Sequence, residues 1–340
     1  MSDALPRCAD CGVELAPGMV ACPACRKLVH RARLEALSVD AAAAEGQGRL
    51  TDALTSWREA LDLLPAKSNQ HRAVTATILR LSEAVDRGGP VAAPKAGKGA
   101  RGAAGLGGIA LVLWKLKFFW LSLLGKGKLL LTGFTSLPTL LTMFAWIAVD
   151  RGRGAIFGVG LVLSIYVHEM GHVSALRLYG IKATAPMFIP GLGAFVRLKQ
   201  YPIDAREDAR VGLAGPVWGA VAAALALALG LGLHDRTLLG VAEIGAMINV
   251  FNLVPFWQLD GARGFRALDG RQRMIVVGIA AVVALALSQP MGWAVCAIGG
   301  ARLKSDVPKQ GDRRAFFTFA ALLIVLSLIP TLSKLGPSGP

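Results

Sequence analysis

The chain has 340 residues, 54% of them hydrophobic and only 17% charged, with a mean hydropathy of +0.52; these values exclude an ordinary soluble globular protein and point to a membrane protein. The formal charge of +15 is unevenly held, since residues 1–102 carry 14 Lys/Arg against 11 Asp/Glu and the remainder carries 23 against 11. The later cations sit in short loops beside apolar runs, where the positive-inside rule accounts for them, so charge alone implies no nucleic-acid partner.

Met1 is followed by polar, cysteine-rich sequence rather than a basic and then apolar stretch, so no cleavable signal peptide is expected. Cys8, Cys11, Cys22 and Cys25 form Cys-x2-Cys-x10-Cys-x2-Cys within residues 1–30. Two such pairs supply four thiolates for a closed, structural zinc, and metal binding rather than a disulfide framework favours a reducing, cytoplasmic setting. The spacing resembles a short zinc ribbon. Residues 31–86 read as helical, and 34–65 resemble one tetratricopeptide repeat, with Ala41, Ala53, Trp57, Ala60 and Pro65 at that family's small, aromatic and helix-ending positions. A peptide-binding repeat and a plain helical hairpin both fit this pattern, and either would let the head take a protein partner or regulator. Residues 87–108, rich in Ala, Gly and Pro, read as a flexible tether.

From residue 109 the chain becomes a membrane body. Residues 109–128 mix Trp114, Phe118, Phe119 and Trp120 with Lys115, Lys117, Lys126 and Lys128, an amphipathic segment suited to the headgroup region. Residues 129–335 hold the main domain, an all-α polytopic fold with about six or seven spans, at 129–149, 155–177, 211–233, 238–256, 274–288, a short 290–301, and 315–333. With a cytoplasmic head, the loops 177–210, 261–273 and 302–314 fall inside with six, four and five Lys/Arg, as expected for a multi-pass protein of the cell membrane.

The second span contains His168-Glu169-Met170-Gly171-His172, the His-Glu-x-x-His pattern of zinc peptidases. Four residues advance about 400° on a helix, so both imidazoles share one face and can meet one metal. Three ionisable groups in five residues at membrane depth are costly enough to mark a functional site. A catalytic zinc takes three protein ligands, and the strongest third candidate is Asp260, in apolar sequence broken by Pro255 and followed by Gly261. Between the metal helix and the third span, residues 186–197 carry prolines and glycines that suggest a short β-hairpin; its edge could receive an unwound peptide as an added strand, and a plain connecting loop fits the same residues. Gly212, Gly215 and Gly219 suit close helix packing.

HEMGH followed by Asn252-Leu-Val-Pro255-Phe-Trp-Gln258-Leu-Asp260-Gly261 resembles the paired signature of the site-2 protease family of intramembrane zinc metalloproteases, over about residues 129–270. Gln258 departs from the proline that many members carry there. The resemblance implies that His168, His172 and Asp260 bind a catalytic zinc, that Glu169 is the catalytic base, and that Asn252 contacts substrate or intermediate. It also implies a transmembrane protein as substrate, within the lipid bilayer. Two zinc ions per chain are thus expected, one catalytic and one structural. The rival readings are an inactive scaffold of the same fold and a membrane zinc hydrolase of non-protein substrates; a transporter lacks the internal repeat it would need.

Overall fold

A computed structural model of the chain describes residues 6–88, 154–182, 187–189, 193–195 and 200–336. The tether beyond residue 88, the interfacial segment 109–128 and the first expected span 129–149 lie outside the described residues. The chain divides into two compact units.

The first unit comprises residues 6–88 together with Leu176–Lys182 and 200–203. Two knuckles open it, with isolated bridges pairing Arg7 to Glu14 and Ala21 to Leu28. Helices α1 (Arg31–Gly46), α2 (Leu50–Asp62) and α3 (Asn69–Asp86) follow. Their apolar faces bury Leu37, Ala41 and Ala44, then Leu50, Ala53 and Leu54, then Ile78, Leu81 and Val85, as helical spacing requires. Ser68 caps α3 by accepting from the His71 amide at 3.0 Å. The α1–α2 hairpin occupies the segment with the tetratricopeptide-like pattern.

The same unit takes in the chain around residue 180. Arg58, only 3% exposed, donates from Nε to the Tyr179 carbonyl at 2.8 Å, and Lys182 pairs with Glu59 at 2.7 Å. Gln200 donates to Asp62, and Tyr179 donates from its hydroxyl to Asp86. Gly180, at φ +65°, brings its backbone against Thr55, where a side chain would have no room.

The second unit is helical apart from one two-stranded antiparallel hairpin, β1 (Met187–Ile189) with β2 (Gly193–Phe195), in the position expected from the Pro/Gly pattern. Its helices are α4 (Gly154–Leu178), whose last turn belongs to the first unit, α5 (Ala205–Leu233), α6 (Arg236–Asn252), α7 (Asp260–Arg266), α8 (Gly270–Leu287), α9 (Pro290–Ala301) and α10 (Arg313–Ser333). Among the described residues, four helical segments are long and apolar enough to cross a membrane: Ile156–Leu178, Ala205–Leu233, Gly270–Leu287 and Arg313–Ser333. The other two expected spans are shorter, 17 residues in α6 and 12 in α9. At about 1.5 Å per residue, α6 stands at the short end of the length that crosses a hydrocarbon core, and α9 falls below it.

Aspartates start most of these helices: Asp204, Asp235, Asp269 and Asp312 each accept backbone amides of the first turn. Helix α5 begins six residues before the expected 211, because its polar first turns find partners. Asp208 pairs with Arg263 and Arg266 at 2.8 and 2.7 Å, and Arg210 with Asp312 at 2.8 Å. Arg273, 1% exposed, donates to the carbonyls of Leu268, Arg302, Ser305 and Asp306 and lies over the Phe265 ring. Several cations counted in the sequence as topology signals therefore also fasten helix ends together.

Helices α4 and α6 meet in three rungs spaced four residues apart on both. A Cβ on Gly160 would lie 2.8 Å from Val241, one on Gly245 would lie 2.9 Å from the Ser164 hydroxyl, and His168 meets Asn249. Rungs that advance together on both helices require parallel axes there, and a small residue in each of the first two rungs permits the approach. Helix α5 runs antiparallel to both, since Gly215 faces His168 and His172, Gly219 faces Asn249, and Gly230 faces Leu239.

Arg58→Met keeps the apolar stem but leaves the buried Tyr179 carbonyl without this donor. The loss should cost the first unit about 1–3 kcal/mol. Thermal unfolding of the full chain in detergent should show its midpoint lowered relative to wild type.

Candidate metal centre

The Pro255 break lets the chain leave α6 and double back. Pro255 cannot continue the helix, Trp257 turns through φ +46°, and the Phe256 amide donates to Val254 at 2.7 Å. At Gly261 the returning backbone touches the Leu253 carbonyl so closely that any Cβ would overlap it, which explains the glycine after Asp260. Asp260 thereby becomes the first residue of α7, with its side chain aimed at α4.

Three side chains that could hold one metal ion converge there. His168 Nε2 and His172 Nε2 are 3.2 Å apart; Asp260 Oδ2 is 3.1 Å from the former and Oδ1 is 3.3 Å from the latter. The side chains of His168, His172 and Asp260 are 5%, 9% and 12% exposed. Ligands at about 2.0–2.1 Å in a tetrahedron have edges of about 3.3 Å, so the two imidazoles and the carboxylate stand at separations that suit one zinc ion. His172 Nδ1 lies 2.8 Å from the Val211 carbonyl, which can only accept. Its Nδ1 therefore carries the proton, and Nε2 offers a lone pair. His168 Nδ1 lies 2.8 Å from Asn249 Oδ1.

Helix α5 closes one side with glycine. A Cβ at Gly215 would overlap both Nε2 atoms, and one at Gly212 would lie 2.7 Å from Arg263 and 3.2 Å from the Asp260 carbonyl. The close packing expected of these glycines thus serves the ligand triangle directly. Pro216 breaks the α5 hydrogen-bond ladder one turn from the Val211 carbonyl that meets His172. Glu169, 7% exposed, sits beside His168 on the same helix. Asn252 is the last residue of α6, and it is Asn249, one turn earlier, that reaches His168. An asparagine in an apolar helix was the available sign of Asn249, but the choice between two asparagines three residues apart depends on how α6 is rotated against α4.

In the head, Cys8 Sγ and Cys25 Sγ are 3.7 Å apart and Cys11 Sγ and Cys22 Sγ 3.6 Å, with all four within 4.8 Å of one another. Zinc–sulfur bonds of about 2.3 Å give tetrahedral edges of about 3.8 Å, so these thiols fit one ion. Each knuckle turns through a left-handed residue, Gly12 at φ +72° and Arg26 at φ +59°. The Cys25 and Ala24 amides pull Cys22 down to about 7. Cys11, despite the Val13 amide that opposes the rise, is pushed up to about 12 by sharing a hydrogen with Cys22. A cation is what would make all four thiolates at once.

Residues 156–236 match the model of Peptidase family M50. The chain is 27% identical over 119 residues to "Zinc metalloprotease MJ0392" of Methanocaldococcus jannaschii, covering 34% of each chain. It is 26% identical over 247 residues to "Probable zinc metalloprotease EGY1, chloroplastic" of Arabidopsis thaliana, covering 55% of this chain and 44% of the relative. The chain therefore spans less than half the length of either relative. No solved structure matches it significantly. The family match supports the site-2 protease resemblance and includes the HEMGH helix; the tetratricopeptide-like segment lies outside it.

Elemental analysis of the purified full chain should find two zinc ions. Cys8→Ser with Cys11→Ser should remove one, and His168→Ala with His172→Ala the other. Zinc binding at the cysteine site should weaken progressively as pH falls, because protons compete for raised thiols such as Cys11, and most steeply below about 7, where they compete for Cys22 as well.

Proposed function

We propose, from the Peptidase family M50 match and the ligand triangle together, that the chain is a zinc endopeptidase of the site-2 protease type, cutting peptide bonds within membrane-spanning segments of other proteins. The observation that carries this reading is the meeting of His168, His172 and Asp260 beside buried Glu169, with both histidines and the glutamate on a helix long and apolar enough to cross a bilayer. A purely structural site has no use for a carboxylate next to its ligands.

Zinc held by His168, His172 and Asp260 would supply Lewis acidity to the scissile carbonyl and lower the pKa of water. Glu169 takes the proton of the attacking water and returns it to the leaving amide nitrogen. The Asn252 amide is a candidate donor to the oxygen that gains charge. A substrate helix hides its backbone in its own hydrogen bonds and must open before attack. The β1–β2 hairpin, which follows the metal helix in sequence, offers edge strands to which the opened chain can add.

In this reading the head lies in the cytoplasm and the body in the cell membrane, as the loop charges favour. The head would read a partner or regulator, which suits regulated intramembrane proteolysis.

Co-expression of a panel of single-span membrane proteins with wild type and with Glu169→Gln tests the assignment. Fragments should form with wild type and fall at least about a hundredfold with Glu169→Gln, as loss of a general base requires. Equal fragment yields from both would remove Glu169 as the base, and no fragments from any substrate with zinc-loaded wild type would favour an inactive scaffold. Asn252→Ala should slow cleavage about 10²–10³-fold if its amide serves the oxyanion; unchanged turnover would remove that role.

A further inference from the structure

We propose that Asn249 is a positioning residue of the metal centre, fixing the tautomer and ring orientation of His168 so that Nε2 faces the ion. This inference rests on the metal-centre reading above and adds a residue that the HEMGH and LDG motifs do not contain.

The direction of each hydrogen bond follows from its far end. Asn249 is 2% exposed and its Nδ2 lies 2.8 Å from the Gly245 carbonyl, which can only accept. That contact places the NH₂ group toward Gly245 and leaves Oδ1 toward His168, at 2.8 Å from Nδ1. Oδ1 can only accept, so His168 Nδ1 must carry the ring proton, and Nε2 is left with its lone pair. His172 reaches the same state through the Val211 carbonyl. Both imidazoles are therefore held as metal ligands by oxygen acceptors on two different helices, α6 for His168 and α5 for His172. Metal-bound histidines depend on such acceptors for orientation and basicity.

The surroundings hold the Asn249 amide in place. A Cβ on Gly219 would overlap its Oδ1 and Nδ2 atoms, so the side chain occupies space that only glycine leaves open. The rung below, Ser164 with Gly245, sets the register that carries Asn249 to His168 one turn later on both helices. A neutral amide also suits the place: Glu169 and Asp260 already bring two carboxylates into an apolar interior, and a third anion would cost more than an amide.

The test uses the full chain in detergent, with zinc affinity measured by chelator competition and the two sites told apart by cadmium NMR, which separates thiolate from nitrogen and oxygen ligation. Asn249→Leu keeps the volume and removes the acceptor. It should weaken the histidine-site metal about 10–100-fold and shift or broaden its cadmium resonance, while the four-cysteine site is unmoved. Asn249→Asp should recover most of that affinity, since a protonated carboxyl can donate to Gly245 and accept from His168 as the amide does. Gly219→Ala, which drives a methyl into the amide, should imitate Asn249→Leu. Wild-type affinity with an unshifted resonance in Asn249→Leu would overturn the proposal, as would Asn249→Asp being as weak as Asn249→Leu. Wild type that binds only the cysteine-site ion would overturn the underlying metal-centre reading as well, and that result is recognisable because it appears before any substitution.

Discussion

Two imidazole nitrogens stand 3.2 Å apart in a buried interior, and each has an oxygen of the same Asp260 carboxylate within 3.3 Å. With both imidazoles neutral, as metal ligands must be, their protons face Asn249 and the Val211 carbonyl and none is left to bridge the two Nε2 atoms. Lone pairs so close repel unless a cation sits between them, and in a low-dielectric setting that repulsion is large. Much else in the second unit is arranged around this demand. The glycines of α5 clear the space, Pro255 and Gly261 return the chain with Asp260, and the α4–α6 rungs bring the Asn249 amide to His168.

Glycine does opposite work in the two units. In the first unit, Gly12 and Gly180 adopt backbone angles that other residues resist, which shapes a knuckle in one case and a close contact with α2 in the other. In α5 the glycines are helical, and their use is the missing side chain. Without a hydrophobic gain from leaving lipid, helices in a bilayer associate through close packing and internal polar contacts. The α4–α5–α6 contact uses both, small residues for approach and the His168–Asn249 hydrogen bond within it.

The sequence made the convergence of His168, His172 and Asp260 legible because its signals are local or nearly so. His168 and His172 are related by helical spacing, and Asp260 stood out as a carboxylate in an apolar run punctuated by Pro255 and Gly261. The hairpin at 187–195 followed from turn residues in the same way. What could not be read was rotation. Whether Asn249 or Asn252 faces His168 depends on the angular setting of α6 against α4, which Gly160, Ser164 and Gly245 decide by tertiary contact. The early start of α5 was hidden for a related reason: Glu207, Asp208 and Arg210 look like loop until Arg263, Arg266 and Asp312 are brought beside the last two.

The parallel rungs of α4 and α6 make the two helices behave like a toothed pair. Removing or adding one residue between Val241 and Asn249 would turn everything after it by about 100°, so the amide would leave His168 even though no residue at the site had changed. Substitutions on the outward faces of these helices should drift freely over generations, while changes of length in that stretch should be purged. The spacing of eight between the first rung and the third is thus as much a part of the inherited machinery as the residues themselves.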